Sequence, residues 1–179
     1  YLFKISQEIE NNSSKSLELY PYAQITRNKI PDDIQNFYIS HEGFIGVFDG
    51  ELKEDDYDDI EDSKIVRETN EGWLGITDKY WMTVLVPEKG KNFKSTFQYN
   101  NTFKANYIVN DPVKINSSST KSNNFRLFVA AKEVDTIDTY AEEQNIDKLD
   151  LVIDWGWFYF FTKPLFFVID YLFKLSGNF

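Results

Sequence analysis

Short runs of β-branched and aromatic residues, broken by turn-forming residues, fill most of the chain up to about Lys132. Such runs suit the pleated, half-buried surface of a sheet. They predict strands at Leu2–Glu10, Leu17–Arg27, Phe44–Phe48, Trp73–Pro87, Lys91–Tyr99, Thr102–Val109 and Asn124–Lys132. Alternation shows in Thr102–Val109, where Phe103, Ala105, Tyr107 and Val109 share one face, opposite Lys104 and Asn106. No long crossover helices separate the runs, so the strands pair antiparallel. Their spacing predicts a sandwich. Asn11–Ser16 and Asn116–Asn124 read as polar loop tips, and Asp49-Gly50 as a tight turn.

Beyond Lys132 the period changes. Val134–Ile146 predicts a short helix, capped by Asp135 or Thr136, with Ile137, Tyr140 and Ala141 facing inward. Leu149–Ile153 is an apolar connector. The last 26 residues, Asp154 to Phe179, hold 11 of the 31 aromatic residues. Asp154 is the expected N-cap there and Gly177-Asn178 the expected stop. Pro164 either starts that helix or kinks it.

About 20 apolar residues would span a bilayer, but the charges in this segment oppose a span. At about 100° per residue, Lys163, Asp170 and Lys174 fall in one narrow wedge, and bulky apolar side chains take the rest of the circumference. Two readings fit: a helix lying in the membrane interface, or a helix packed on the domain's own sheet. Periodicity leaves both open. The density of rings favours the interface, where Trp and Tyr keep a wet polar tip.

The 179 residues suit one domain or a large piece of one. The net charge of −10 argues against general affinity for nucleic acid. Absent cysteine excludes disulfides, thiolate zinc sites and a cysteine nucleophile. The acidity is local: Glu42 to Asp62 contains ten acids and one base, Lys53. Asp55, Asp56, Asp58 and Asp59 lack the spacing of an EF-hand, so a solvated acidic loop is expected, held away from anionic headgroups. Asp78, near Trp73, Tyr80 and Trp81, could be half of a glycosidase pair, but strand residues and core rings account for it better. The single histidine, His41, is expected to end a strand or make a turn contact. No metal or cofactor is expected. Tyr1–Glu10 lacks the features of a signal peptide and reads as a strand already under way, as in a fragment of a longer protein.

The segment Asp154–Phe179 also carries a resemblance. Asp154, Gly156-Trp157, Lys163-Pro164-Leu165-Phe166, Phe167–Leu175 and Gly177-Asn178 resemble the stretch joining the periplasmic domain to the membrane core in the YidC membrane protein insertase family. Gly72–Pro87 resembles a strand pair of the same family, and Pro21–Arg27 and Ile39–Ile60 are similar to its versions with a full acidic loop. The resemblance implies an antiparallel β-supersandwich, galactose mutarotase-like, followed by C-terminal helices. It implies a sandwich part over residues 1–133, a helical linker over 134–153 and an amphipathic membrane-interface segment over 154–179. It implies a non-enzymatic scaffold at the periplasmic face of the bacterial inner membrane. Contact with the Sec translocon, its SecDF accessory and nascent membrane proteins is implied as well. The expected interface residues are Trp155, Trp157, Phe158, Phe160, Phe161, Pro164, Leu165 and Phe166, with Lys163 and Lys174 as snorkelling cations. The competing expectation is a carbohydrate-binding or carbohydrate-modifying sandwich with the last segment packed internally.

Overall fold

The computed structural model describes residues 1–31, 41–156 and 159–177 of the chain. Its strands are β1 (Leu2–Asn11), β2 (Leu17–Leu19), β3 (Tyr22–Arg27), β4 (Gly43–Phe48), β5 (Glu51–Asp55), β6 (Ile65–Thr69), β7 (Gly72–Thr77), β8 (Trp81–Val86), β9 (Phe93–Tyr99), β10 (Phe103–Val109), β11 (Val113–Ile115) and β12 (Ser119–Ala131). The helices are α1 (Tyr57–Asp62), α2 (Val134–Glu143) and α3 (Tyr159–Ser176), with a 3-10 turn at Leu149–Val152. Six strands form one sheet in the order β1-β12-β8-β7-β4-β5, and four form a second in the order β3-β10-β9-β6. β2 and β11 make a separate ribbon. The described pairings are antiparallel, as the sequence predicts.

The two sheets close on one core. The larger sheet supplies Phe44, Leu74, Leu85 and Phe125, and the smaller one Phe93, Phe97 and Phe103. Rings meet edge-on or tilted, as their quadrupoles favour: Tyr57 and Phe103 at 4.8 Å, Phe44 and Phe97 at 4.9 Å. A second core lies on the other face of the six-stranded sheet. There Ile137 of α2, Ile146, and Leu149 and Val152 of the 3-10 turn cover Ile45, Val47, Trp73, Val84 and Phe128. The Trp73 indole N–H donates to the Asp147 carbonyl at 3.0 Å, which satisfies the polar edge of a buried ring. The helical connector is therefore a third layer, and this explains the unbroken apolar run of β4. Phe44 and Phe48 point into the first core, while Ile45 and Val47 point into the second.

Several local expectations change. Leu17–Arg27 is two strands, parted at Tyr20-Pro21, because proline cannot donate to a ladder. Asn116–Asn124 is mostly strand: β12 begins at Ser119, and its residues Ser119 to Phe128 pair with the whole of β1. The acidic stretch is not a solvated loop. It contains β5, which pairs with β4 through the Asp49-Gly50 turn, and then α1, which buries Tyr57 and Ile60. Both turn residues have positive φ, 49° and 81°, the geometry that favours Asp-Gly in two-residue hairpins. Asp55 is buried and forms a two-pronged pair with Arg67 at 2.7 and 2.8 Å. The Arg67 guanidinium also stands over the Phe48 and Phe97 rings. α2 starts at Val134 after Glu133, one residue before the expected caps, and the Thr136 hydroxyl donates to the Glu133 carboxylate. Ile137 is buried, with Tyr140 and Ala141 packed beside it, as expected.

Candidate functional site

α3 has 18 residues, which at about 1.5 Å per residue makes a rod of about 27 Å. It begins at Tyr159 rather than after Asp154, whose carboxylate instead accepts the Gly156 N–H at 2.8 Å. The helix runs through Pro164, its sixth residue. Thr162 donates its hydroxyl to the Trp155 carbonyl, tying the first turn to the approach segment. Gly177, at φ 67°, ends the helix and donates its N–H to the Phe173 carbonyl.

The charged wedge faces the helical layer. Lys163 lies 3.0 Å from Asp150 of the 3-10 turn and 3.7 Å from Asp138 of α2. Lys174 lies 3.2 Å from Asp135 at the start of α2 and 2.7 Å from Asp170 one turn back on α3. Burial opposes the charge on Lys163, yet the hydrogen bond and field of Asp150, with Asp138, hold its pKa above the ordinary value. Asp170 and then Asp135 raise that of Lys174. The two lysines thus hold α3 by one edge against the helical layer.

The opposite face is apolar and open. Phe161, Leu165, Val168 and Leu172 project away from the lysine edge, and Leu172 is 55% exposed. Phe160, Ile169, Tyr171 and Leu175 are exposed beside them. Phe166 is less exposed and meets the Trp155 ring edge-on at 5.5 Å. Trp155 is half-buried, with Lys163 over its ring and its indole N–H enclosed. Of the expected interface residues, the structure brings Phe160, Phe161 and Leu165 together on the open helix. It sets Phe166 and Trp155 at the edge, and pairs Lys163 and Lys174 with carboxylates. Trp157 and Phe158 lie outside the described residues. No helix among the described residues is long and apolar enough to cross a membrane.

The other candidate chemistry resolves into structural contacts. Both oxygens of Asp78 accept from Arg27, one at 2.7 Å, so this carboxylate is committed to an ion pair. His41 donates from Nε2 to the Phe44 carbonyl at 2.9 Å, a turn contact, with Asp56 3.5 Å from its other nitrogen. Sequence reasoning named Asp135 only as a helix cap and missed Asp138 and Asp150; these three acids receive the two lysines. Asp135 and Asp138 share one face of α2 at a spacing of three residues, and that is the signal that could have found them.

Comparison with known proteins gives a consistent result. The family described as the YidC periplasmic domain matches residues 1–168. The membrane protein insertase YidC of Pelagibacter ubique is 51% identical over 179 residues, which is all of this chain and 32% of the relative. Those of Bradyrhizobium diazoefficiens and Brucella melitensis are each 38% identical, again over the whole chain and 31% and 30% of the relatives. The chain spans about a third of the length of the curated relatives it matches. On the match over residues 1–168, the chain belongs to the YidC periplasmic domain family.

Proposed function

We propose that this periplasmic domain is the non-catalytic scaffold of a YidC-type inner-membrane insertase and that α3 rests in the outer headgroup layer. One observation carries the reading: α3 turns its charged edge to α2 and leaves the opposite face, Phe161, Leu165, Val168 and Leu172, uncovered. Each such side chain taken fully from water is worth roughly 1.5–3 kcal/mol, so four of them supply firm adhesion even when partly immersed. In this reading residues 1–133 are part of a β-supersandwich of the galactose mutarotase kind, 134–153 the rigid linker and 154–179 the interface segment. Phe160, Phe161, Leu165 and Phe166 are the lipid contacts on α3, together with Pro164, and Trp155 stands at the approach; Trp157 and Phe158 complete the proposed set. Lys163 and Lys174 fix the roll of the helix through their carboxylate partners, and their stems line the headgroup boundary. The sandwich then stands beside the insertion machinery as a surface for the Sec translocon, SecDF and nascent membrane proteins.

Flotation with phosphatidylethanolamine–phosphatidylglycerol vesicles tests it. The chain should float, and Phe161→Ser with Leu172→Ser should remain at the bottom of the gradient with the melting temperature of the sandwich unchanged. Loss of the cooperative melt in that variant would mean that the two residues belong to the domain's own packing.

A further inference from the structure

The smaller sheet turns one face to the core and the other outward. Ala23, Ala105, Tyr107 and Phe97 enter the core, so Gln24, Asn106, Thr96 and Val66 form a row across the outer face. Asn106 lies in the middle of that row and is only 7% exposed. Among the described residues its side-chain amide has no hydrogen-bond partner, and neither of its polar atoms is sealed as the Tyr57 hydroxyl is. Recessed amides ordinarily bond, because an unpaired polar group out of water is costly. This one offers a donor and an acceptor side by side, on the face turned away from the core.

An aromatic ring stands beside it. The Tyr22 hydroxyl donates to Gln24 Oε1 at 2.6 Å, and Gln24 Nε2 donates to Thr26 Oγ1 at 2.6 Å. Residues two apart on a strand are separated by about 7 Å, so the Tyr22 ring leans along β3 to reach Gln24. It is 44% exposed. Tyr22 is the diagonal neighbour of Asn106, about 7–8 Å away. The row through Asn106 carries no charge. Lys104 lies in the row on one side, and Lys94, on the other, is paired with Glu68 at 3.0 Å.

We infer that this face binds a neutral glycan chain: a vicinal pair of hydroxyls on one pyranose ring pairs with the Asn106 amide, and a neighbouring ring stacks on Tyr22. A hydroxyl both donates and accepts, so a vicinal pair satisfies the amide N–H and C=O together. A phosphate dianion or a carboxylate has no proton for the amide oxygen, and the net charge of −10 disfavours anions. The apolar face of a pyranose suits an exposed phenol ring. The site does not involve α3, so it stands or falls apart from the membrane reading.

Titration of the whole chain with cellohexaose, followed by calorimetry and by the side-chain amide resonances of Asn106, tests the inference. Cellohexaose should bind saturably and shift both amide protons of Asn106. Asn106→Ala should weaken binding about tenfold, the worth of two hydrogen bonds. Tyr22→Ala should weaken it by a similar factor. Hexaglycine stands for a peptide and hexagalacturonate for an anionic glycan, and each should bind at least about tenfold more weakly than cellohexaose. The resonances are read on the unaltered chain, so the test does not depend on how the variants fold. No saturable binding, unmoved Asn106 resonances at saturation, full affinity in a folded Asn106→Ala variant, or hexaglycine or hexagalacturonate binding as tightly as cellohexaose would each overturn the inference.

Discussion

The Lys163 ammonium sits 3.0 Å from the Asp150 carboxylate, so an ion pair joins the helix with the open apolar face to the turn that seals the second core. Lys174 repeats the arrangement at the far end with Asp135. The amphipathic segment is therefore neither free nor packed as a core helix. It is held along one polar edge, and the ion pairs set its roll.

Releasing that edge should loosen α3 alone. Lys163→Gln removes contacts to Asp150 and Asp138 that, as partly exposed pairs, are worth about 1 kcal/mol or less in total. Amide exchange should speed up in α3 and stay unchanged in β4, β7 and β8. The pH dependence has a definite sign. The folded pKa of Lys163 lies above its ordinary 10.5, so the contribution is complete at neutral pH and is lost as pH rises through the folded value. Protection of the α3 amides, taken relative to their unfolded exchange rates, should fall above that range and hold steady below it.

The buried pair of Asp55 and Arg67 should behave differently. Removing one partner strands a charge in a closed site, which typically costs about 3–5 kcal/mol. Asp55→Ala should destabilise by about that much in urea unfolding. Asp55→Ala with Arg67→Met should recover part of the loss, because no charge is then left unmatched.

Two of the eleven tyrosines should resist alkali. Tyr57 and Tyr107 are buried, and desolvation pushes both pKa values well above the ordinary 10.0. Raised values in the folded state mean that the unfolded chain ionises first. Stability is intact below pH 10 and falls as pH rises beyond it. Absorbance at the phenolate band should therefore titrate in two stages, the second coinciding with loss of folded structure.

The acids should make lipid binding unusual in its response to salt. With Glu42–Asp62 so rich in carboxylates and Asp58, Asp59, Glu61 and Asp62 exposed, the chain and anionic vesicles repel one another. Salt screens that repulsion, with a Debye length of about 10 Å at 0.1 M. Flotation with phosphatidylglycerol vesicles should thus increase with salt. Replacing the four carboxylates by amides should weaken the dependence, since the net charge then falls in magnitude from −10 to −6.

Much of this architecture is legible in local pattern. The strands with rings or β-branched residues on at least one face, such as β4, β9 and β10, stand out, and so do Asp49-Gly50 and the inward face of α2. β5 and β6 do not, because ELKED and IVRET carry their strand character in pairing rather than in apolar alternation. Asp55 looks like its acidic neighbours until the fold brings Arg67, twelve residues away, against it. The wedge of Lys163, Asp170 and Lys174 was visible in the helical period. Its destination was not, because the receiving acids belong to elements packed in three dimensions on the six-stranded sheet.

The central claim is that the face of α3 opposite the lysines meets lipid. The chain has no cysteine, so a nitroxide placed through Leu172→Cys or through Asp170→Cys reports on one position at a time. Spin-label accessibility on phosphatidylethanolamine–phosphatidylglycerol vesicles compares apolar oxygen with a water-soluble nickel chelate at the two sites. The account predicts oxygen-dominated relaxation at position 172 and nickel-dominated relaxation at 170. Nickel-dominated relaxation at both, unchanged by adding vesicles, would contradict it.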